Sequence, residues 1–298
     1  MKHSDFLKYQ EKKEHGSAGL PFVIYGTFIP ELIKTFQAHW HDEMEIIYCF
    51  KGRCSYHINF KEYIISEGDI LVVPPTVIHS FKQYEDEMFE GISILFKLDM
   101  INNTVDVCSD KYFMPIFSNE IILQTLITNN DKYSKEAQEI IKSILNSYFY
   151  KKNFYELELK MHLFSLFSFY LKNNLYVKKT EKTFSSKTTD KTKKILKYVE
   201  EHYSEKITLE MLANETNQSV YNLAHSFKKY TGQSLLDFIN GYRLSIAAKM
   251  LTETKNPIIN IALETGFNNV SYFNRAFKVK YHMTPTEYRK KEIKSEKE

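Results

Sequence analysis

The sequence predicts a multidomain α+β chain: an N-terminal β-barrel, a pair of long helices, a linker, and an all-α C-terminal domain with two helix-turn-helix units joined by a long helix. Three observations carry this. Short β-branched and aromatic runs, punctuated by glycine and proline, fill the chain from Phe22 to Phe96. From Ser134 the apolar residues fall at helical spacing. In the last third a pattern occurs twice. Ala213-Asn214-Glu215-Thr216, Leu223 and Phe227-Lys228 return about fifty residues later as Ala262-Leu263-Glu264-Thr265, Phe273 and Phe277-Lys278.

The barrel spans about residues 20–100. Its runs include Glu45 to Phe50, Tyr56 to Phe60 and Ile70 to Val73, with Gly52, Gly68 and Pro74-Pro75 between them. Even spacing of short strands suits a sandwich or barrel. Within it lies His39-Trp40-His41, followed by Glu45. Side chains alternate along a strand, so His39, His41 and Glu45 share one face and Trp40 takes the other.

Two helices follow over about 134–174. Ile140, Ile141, Ile144, Leu145, Tyr148 and Phe149 space the first; Leu159, Leu163, Phe164, Phe167, Tyr170 and Leu171 space the second, with a turn near Asn153. The second helix is apolar over more of its circumference than one barrel face needs. Intramolecular packing and a homodimer seam both account for that. Residues 176–190 are polar, charged and nearly free of core residues, which reads as a linker. The domains are therefore 1–175, an effector-binding and dimerisation unit, and 191–298, a nucleic-acid module. A signal is expected to pass between them through the helices from Ser134 to Asn174.

In the module, Leu209, Leu212 and Ala213 space a short helix, Asn217-Gln218-Ser219 supplies a turn and N-cap, and a helix runs from Tyr221 to Tyr230 with Leu223 and Phe227 inward. The second copy starts at Pro257, turns at Gly266, and continues from Val270 to Tyr281 with Phe273 and Phe277 inward. Between the copies, Leu236, Ile239, Ile246, Met250 and Leu251 recur at helical intervals from Leu235 to Thr254. Twenty helical residues span about 30 Å, close to the ~34 Å of one duplex turn. Such a helix can set two reading helices into consecutive major grooves.

Composition narrows the partners. Up to Asp190 there are 22 basic and 25 acidic side chains; from Lys191 onward there are 18 and 12. Only the back half is suited to a polyanion. No apolar run approaches the ~18 residues of a membrane span, and Met1 to Asp5 lack the apolar core of a secretory signal. The cysteines Cys49, Cys54 and Cys108 fit a reduced, cytoplasmic protein and read as buried bystanders.

The strings Arg243-Leu244-x-x-Ala247, Ile261-Ala262-x-x-x-Gly266-Phe267, Ser271-Tyr272-Phe273-x-Arg275-x-Phe277-Lys278 and Thr284-Pro285-x-x-Tyr288-Arg289 resemble the AraC/XylS family of transcription regulators. The resemblance covers residues 191–290. It departs at His282, where the family usually has glycine, and in the first reading helix, where Asn222, Ala224 and His225 replace larger polar or basic residues. It implies sequence-specific binding of double-stranded DNA in the major groove, with activation as the expected direction and RNA polymerase as a further partner. Helix geometry and the resemblance agree on the exposed faces: Ser219, Tyr221, Ala224 and His225, then Val270, Ser271, Asn274 and Arg275. Arg275 is the residue suited to a bidentate contact with guanine. Lys228, Lys229, Lys278 and Lys280 are candidate phosphate contacts.

His39-x-His41-x-x-x-Glu45 through Gly52, with Gly68 through Pro74 to His79, resembles the two motifs of the cupin β-barrel. Ile33, Thr76 and Gln83 stand where those motifs carry Gly, Gly and Asn. The resemblance implies that His39, His41, Glu45 and His79 face the barrel interior. They could line a pocket for a small-molecule effector such as a sugar, bind a divalent transition metal, or be polar residues satisfied within the barrel. The leading expectation is a non-enzymatic, effector-responsive regulator that requires no cofactor. Its rivals are a metal sensor or metal-dependent cupin enzyme fused to a DNA-binding module, and a DNA-binding protein whose barrel only dimerises.

Overall fold

The computed structural model describes residues 16–295 apart from Ala18, Leu32, 102–105, Asn119 and 179–185. Ten strands occur among the described residues: β1 (Phe22–Ile29), β2 (Thr35–His39), β3 (Met44–Ile58), β4 (Lys61–Ser66), β5 (Ile70–Val73), β6 (His79–Gln83), β7 (Phe89–Phe96), β8 (Ile121–Leu123), β9 (Leu126–Ile127) and β10 (Tyr176–Lys178). All their pairings are antiparallel. Strand β3 is long enough to serve two sheets. Its first half pairs with β7 and β5, and its second half with β4 and β6.

A register shift between Cys49 and Lys51 marks where β3 passes from one sheet to the other. Before it, Ile47 and Cys49 face the interior; after it, Cys54, Tyr56 and Ile58 do, joining Ile29, Ile65, Leu71, Val73 and Phe89 in one core. The opposite face of the first half, Met44, Ile46 and Tyr48, packs under helices. The extra residue thus changes which parity points inward.

Those helices follow α1 (Met114–Phe117): α2 (Ser134–Tyr150) and α3 (Tyr155–Lys172). Lys151 and Phe154, both at positive φ, make the tight connection between α2 and α3 expected near Asn153. Ile141, Ile144, Leu159, Leu163 and Phe167 fill the core against the sheet. Leu157, Met161 and Phe164 form an exposed apolar stripe on α3. Strand β10, which pairs with β8, takes up the first residues of the expected linker, and α4 begins at Ser186; the middle of that linker, 179–185, lies outside the described residues. So does the N-terminal stretch read for a secretory signal.

Helices α4 (Ser186–His202), α5 (Leu209–Glu215), α6 (Val220–Thr231), α7 (Leu235–Glu253), α8 (Ile258–Glu264), α9 (Val270–Tyr281) and α10 (Pro285–Ser295) complete the chain. They enclose two cores. Leu212, Leu223, Phe227 and Phe238 belong to one; Leu251, Ile261, Phe273 and Phe277 belong to the other. Helix α7 serves both, the first through Leu235, Phe238 and Ile239, the second through Leu244, Ala247, Ala248 and Leu251. Leu236, expected inward from its spacing, is 57% exposed. A helix that feeds two cores needs two stripes, and a single periodicity does not place every apolar residue.

Candidate nucleic-acid interface and effector site

The two helix pairs are built alike at their corners. Thr216 ends α5 by donating its hydroxyl to Leu212 O at 2.9 Å, and Thr265 ends α8 by donating to Ile261 O at 2.7 Å. Each second helix opens with a side-chain cap: Ser219 accepts from Asn222 N at 3.2 Å, and Asn269 accepts from Tyr272 N at 2.9 Å. Each ends on a left-handed residue, Gly232 at φ 79° and His282 at φ 58°. His282 thus adopts the conformation that its glycine-equivalent position demands.

Burying Leu223 and Phe227 turns the other side of α6 outward, and burying Phe273 and Phe277 does the same for α9. On α6 Tyr221 and His225 are exposed, their rings stacked with centroids 6.2 Å apart; Ser219 is exposed and Ala224 half-buried. On α9 Ser271, Asn274, Arg275 and Lys278 are exposed, while Val270 is half-buried against the second core. Arg275 lies 5.7 Å from the centre of the Tyr272 ring, and the Tyr272 hydroxyl accepts from Asn240 Nδ2 at 3.1 Å. Tyr272 ties α9 to α7 and steadies the arginine beside it, a role that its place in the sequence did not reveal.

The lysines divide. Lys228, Lys229 and Lys278 are exposed, and Lys228 borders a cleft against the sheet domain. Lys280 is drawn inward, donating to Gly241 O at 2.8 Å, so its ammonium is engaged within the protein at the place where a phosphate contact was expected. Two arginines seal loops through paired carbonyl contacts. Arg243 donates to Tyr203 O and Glu205 O, and Arg289 to Leu251 O and Asn256 O.

The sheet domain brings His39, His41 and His79 together. One ligand atom from each lies within 4.8 Å of the others. His39 pairs with His79 in the β2–β6 ladder, so the pleat sets both imidazoles on one face. Glu45, from β3, reaches His79 Nε2 at 2.8 Å and His41 Nε2 at 3.5 Å. Backbone carbonyls orient the rings: Gln37 O lies 3.0 Å from His39 Nδ1, and Val77 O lies 2.9 Å from His79 Nδ1. Thr76 is strained at φ 63°, where the barrel motif carries glycine, and its N–H donates to His41 O at 2.7 Å. Trp40 takes the opposite face, with the Lys193 ammonium 4.6 Å over its ring.

Burial, with His79 and His41 adding to it, holds His39 well below the usual imidazole range. Burial also presses on His41, but its contact with Glu45 and then Glu43 outweighs this and raises it. Burial opposes the charge on Glu45, yet His79 and His41 hold its carboxyl well below the usual range. The cluster is thus a carboxylate anion among imidazoles, one of them kept neutral, which suits a cationic or hydrogen-bonding guest.

The contact between the two halves was not legible in the sequence. The end of α6 and the start of α7 dock on the outer face of β2, β3 and β6. Tyr230 donates to Asn59 Oδ1 at 2.8 Å, Ser80 donates to Thr231 O at 2.9 Å, and His57 Nε2 lies 3.2 Å from Lys229 O. Ala38 and Ile78 join the first helical core. Helices α2 and α3 cover the far sheet, and the strands that carry the histidines touch the helical module directly. The signal lay in the alternation of β6, where inward His79 is followed by outward Ser80, but its partner is 151 residues away.

Cys49 and Cys54 are buried and free; Cys108 is free and exposed, which corrects its expected burial. The alternation of β3 governs the first two, whereas Cys108 precedes a short surface helix. No helix among the described residues is long and apolar enough to cross a membrane.

Comparison with known proteins agrees with this architecture. Residues 33–167 match the family described as AraC-like ligand binding domain, and residues 212–291 match a helix-turn-helix domain family. The uncharacterized HTH-type transcriptional regulator YdeC of Bacillus subtilis is 24% identical over 94% of this chain and 96% of its own length. Regulatory protein SoxS of Escherichia coli is 30% identical over 32% of this chain and 89% of its own length. The crystal structure of unsaturated fatty acid bound ToxT from Vibrio cholerae is 18% identical, covering 90% of this chain and 94% of that one with a TM-score of 0.47. YdeC and SoxS are regulators, and the metal-dependent enzyme is set aside. From a sheet-rich ligand-binding domain, a helical DNA-binding domain and these matches, it follows that the chain belongs to the AraC family of DNA-binding transcription regulators.

Proposed function

We propose that the chain is an effector-responsive activator that reads two successive major grooves through α6 and α9. The observation that carries this is the matched construction of the two helix pairs at either end of α7. Its 19 residues give a length of about 28 Å. In this reading Ser219, Tyr221, Ala224 and His225 form one reading face, and Val270, Ser271, Asn274 and Arg275 the other. Lys228, Lys229 and Lys278 hold phosphates, and Lys280 joins them only by giving up its bond to Gly241.

A gel-shift assay on DNA upstream of its own and neighbouring genes tests the reading. The expected result is a salt-sensitive preference for one such fragment over random DNA; equal affinity for all of them counts against it. Lys278→Ala is expected to weaken every sequence alike and to flatten the slope of log affinity against log salt by about one unit. A reporter fused to the bound fragment checks activation, for which RNA polymerase is the partner.

The effector site in this reading is the interior group His39, His41, Glu45 and His79, whose ring nitrogens and carboxylate would hydrogen-bond a small polar guest. A second reading of the same group is favoured by the 4.8 Å grouping of three imidazole ligand atoms beside a carboxylate. That donor set fits a divalent transition metal, whose bonds to imidazole nitrogen are about 2.0–2.1 Å. His39, His41 and His79 would hold it, with Glu45 as a fourth ligand or charge partner. Elemental analysis of protein purified without a chelating tag decides between them. Close to one equivalent is expected for the metal sensor, and less than roughly a tenth of an equivalent removes it.

The apolar stripe Leu157, Met161 and Phe164 on α3 supports a homodimer seam. Leu157→Glu with Phe164→Glu is expected to convert a dimer to a monomer in sedimentation equilibrium. A wild-type chain already monomeric at micromolar concentration overturns the seam.

A further inference from the structure

The three imidazoles of the interior group are fixed alike. His39 Nδ1 lies 3.0 Å from Gln37 O, His41 Nδ1 3.1 Å from Glu43 O, and His79 Nδ1 2.9 Å from Val77 O. A carbonyl can only accept, so each ring donates from Nδ1 and, when neutral, carries its lone pair on Nε2. Histidines that ligate metals are commonly oriented in this way. The Nε2 atoms of His41 and His79 face Glu45 Oε2 at 3.5 and 2.8 Å. The closer pair is buried but misaligned for a hydrogen bond. A water molecule has two protons for four such acceptors, whereas one cation answers all of them.

The group sits at an irregularity of the sheet. Phe36 pairs with Phe81 and His39 with His79, so Gln37 and Ala38 together stand opposite Ser80. Two residues against one make a bulge, which bends a strand and re-aims its side chains. All three residues of the bulge meet the helical module. The Gln37 amide packs on Gly241 of α7, where a Cβ would lie 2.2 Å from Gln37 Cδ. Ala38 belongs to the first helical core, and Ser80 donates to Thr231 O at 2.9 Å. His39 and His79 border the bulge directly. The histidines on the inner face and the docking surface on the outer face are therefore two sides of one short piece of β2 and β6.

We propose that a divalent transition metal bound by His39, His41, His79 and Glu45 braces this bulge and so holds the helical module on the sheet. The proposal deepens the metal-sensor reading and rests on it. His39 of β2, His79 of β6 and Glu45 of β3 then share one ion, which fixes the offset between β2 and β6 that sets Gln37, Ala38 and Ser80 against α6 and α7. Close-packed strands pass a displacement on one face to the other. A ligand shifts such an equilibrium by its differential affinity, and the docked form is the one whose ligands stand in place. Helix α6 carries the first reading face and ends at this contact, so occupancy of the metal site governs its freedom to align with a groove.

Zinc sulfate added to the metal-stripped full chain, without DNA, tests the coupling. Equilibrium dialysis gives the zinc bound, and amide hydrogen exchange follows the α6–α7 junction from Lys228 to Phe238. About one zinc per chain is expected, with exchange at the junction slowed by about threefold or more. Gly241→Leu places a side chain where the Gln37 amide sits and leaves the ligands untouched. It is expected to show no slowing, and to bind zinc more weakly by the same factor by which zinc favours docking. Should it fail to fold, Tyr230→Phe with Ser80→Ala, which removes two bonds across the contact, is expected to reduce the slowing by about half or more. Zinc bound with unchanged exchange overturns the coupling and leaves the metal sensor standing. Less than roughly a tenth of an equivalent bound overturns both. Undiminished slowing in a folded docking variant also overturns the coupling, because the zinc then acts by a route other than the bulge.

Discussion

Phe277→Ala is expected to lower the stability of the second helical core by about 3–5 kcal/mol, the usual cost of truncating a fully buried phenylalanine. Phe277 is fully buried. Its ring packs against Phe273 at 5.7 Å, Tyr281 at 4.5 Å and Tyr288 at 5.4 Å between centroids. Alanine would leave a cavity bounded by aromatic rings, which are rigid and collapse poorly. For a unit of roughly 100 residues each kcal/mol shifts the melting temperature by about 4–8 °C. A fall of about 12 °C or more is therefore expected in the C-terminal transition, followed by calorimetry. The sheet domain has its own core and should melt as before. Binding to a two-site fragment should fall towards that of a single reading helix. A loss below about 1 kcal/mol would mean that the two helical cores do not depend on this ring.

Arg275→Ala is expected to relax selectivity at one base pair by ~1–3 kcal/mol. The arginine is exposed on α9 beside Tyr272, which Asn240 anchors to α7. A guanidinium fork placed before binding loses less freedom when it meets the two acceptors of guanine. The measurement is a set of affinities for single-base variants of the bound fragment at one salt concentration. Discrimination should collapse at one position and persist elsewhere. An equal loss for every variant would move Arg275 from base reading to phosphate positioning.

Legibility in the sequence followed the range of the interaction. The repeat was plain because its determinants are local: a buried Phe four residues beyond a buried Leu or Phe, a threonine that ends the first helix, and a polar cap that opens the second. The left-handed turn at His282 could be inferred from Gly232 in the other copy. Strand alternation placed His39 and His41 together, but His79 entered only through the family motif, because β6 meets β2 across forty residues of intervening chain. The inward turn of Lys280, the exposure of Leu236 and Cys108, and the steadying role of Tyr272 left no local trace. Each depends on which neighbour α7 or the surface presents at that point.

The amino-acid sequence by itself determined the strand-rich front, the two helices that back it, and a duplicated helical module suited to DNA. Spacing and capping act within a few residues and suffice for that. Only the tertiary structure decided that the module docks on the strands that carry the histidines, that a polar cleft lies between them, and that α2 and α3 stand on the far side. The bond from Tyr230 to Asn59 joins residues 171 apart. Such a pairing is set by how two finished surfaces complement each other, and no periodicity along the chain encodes it.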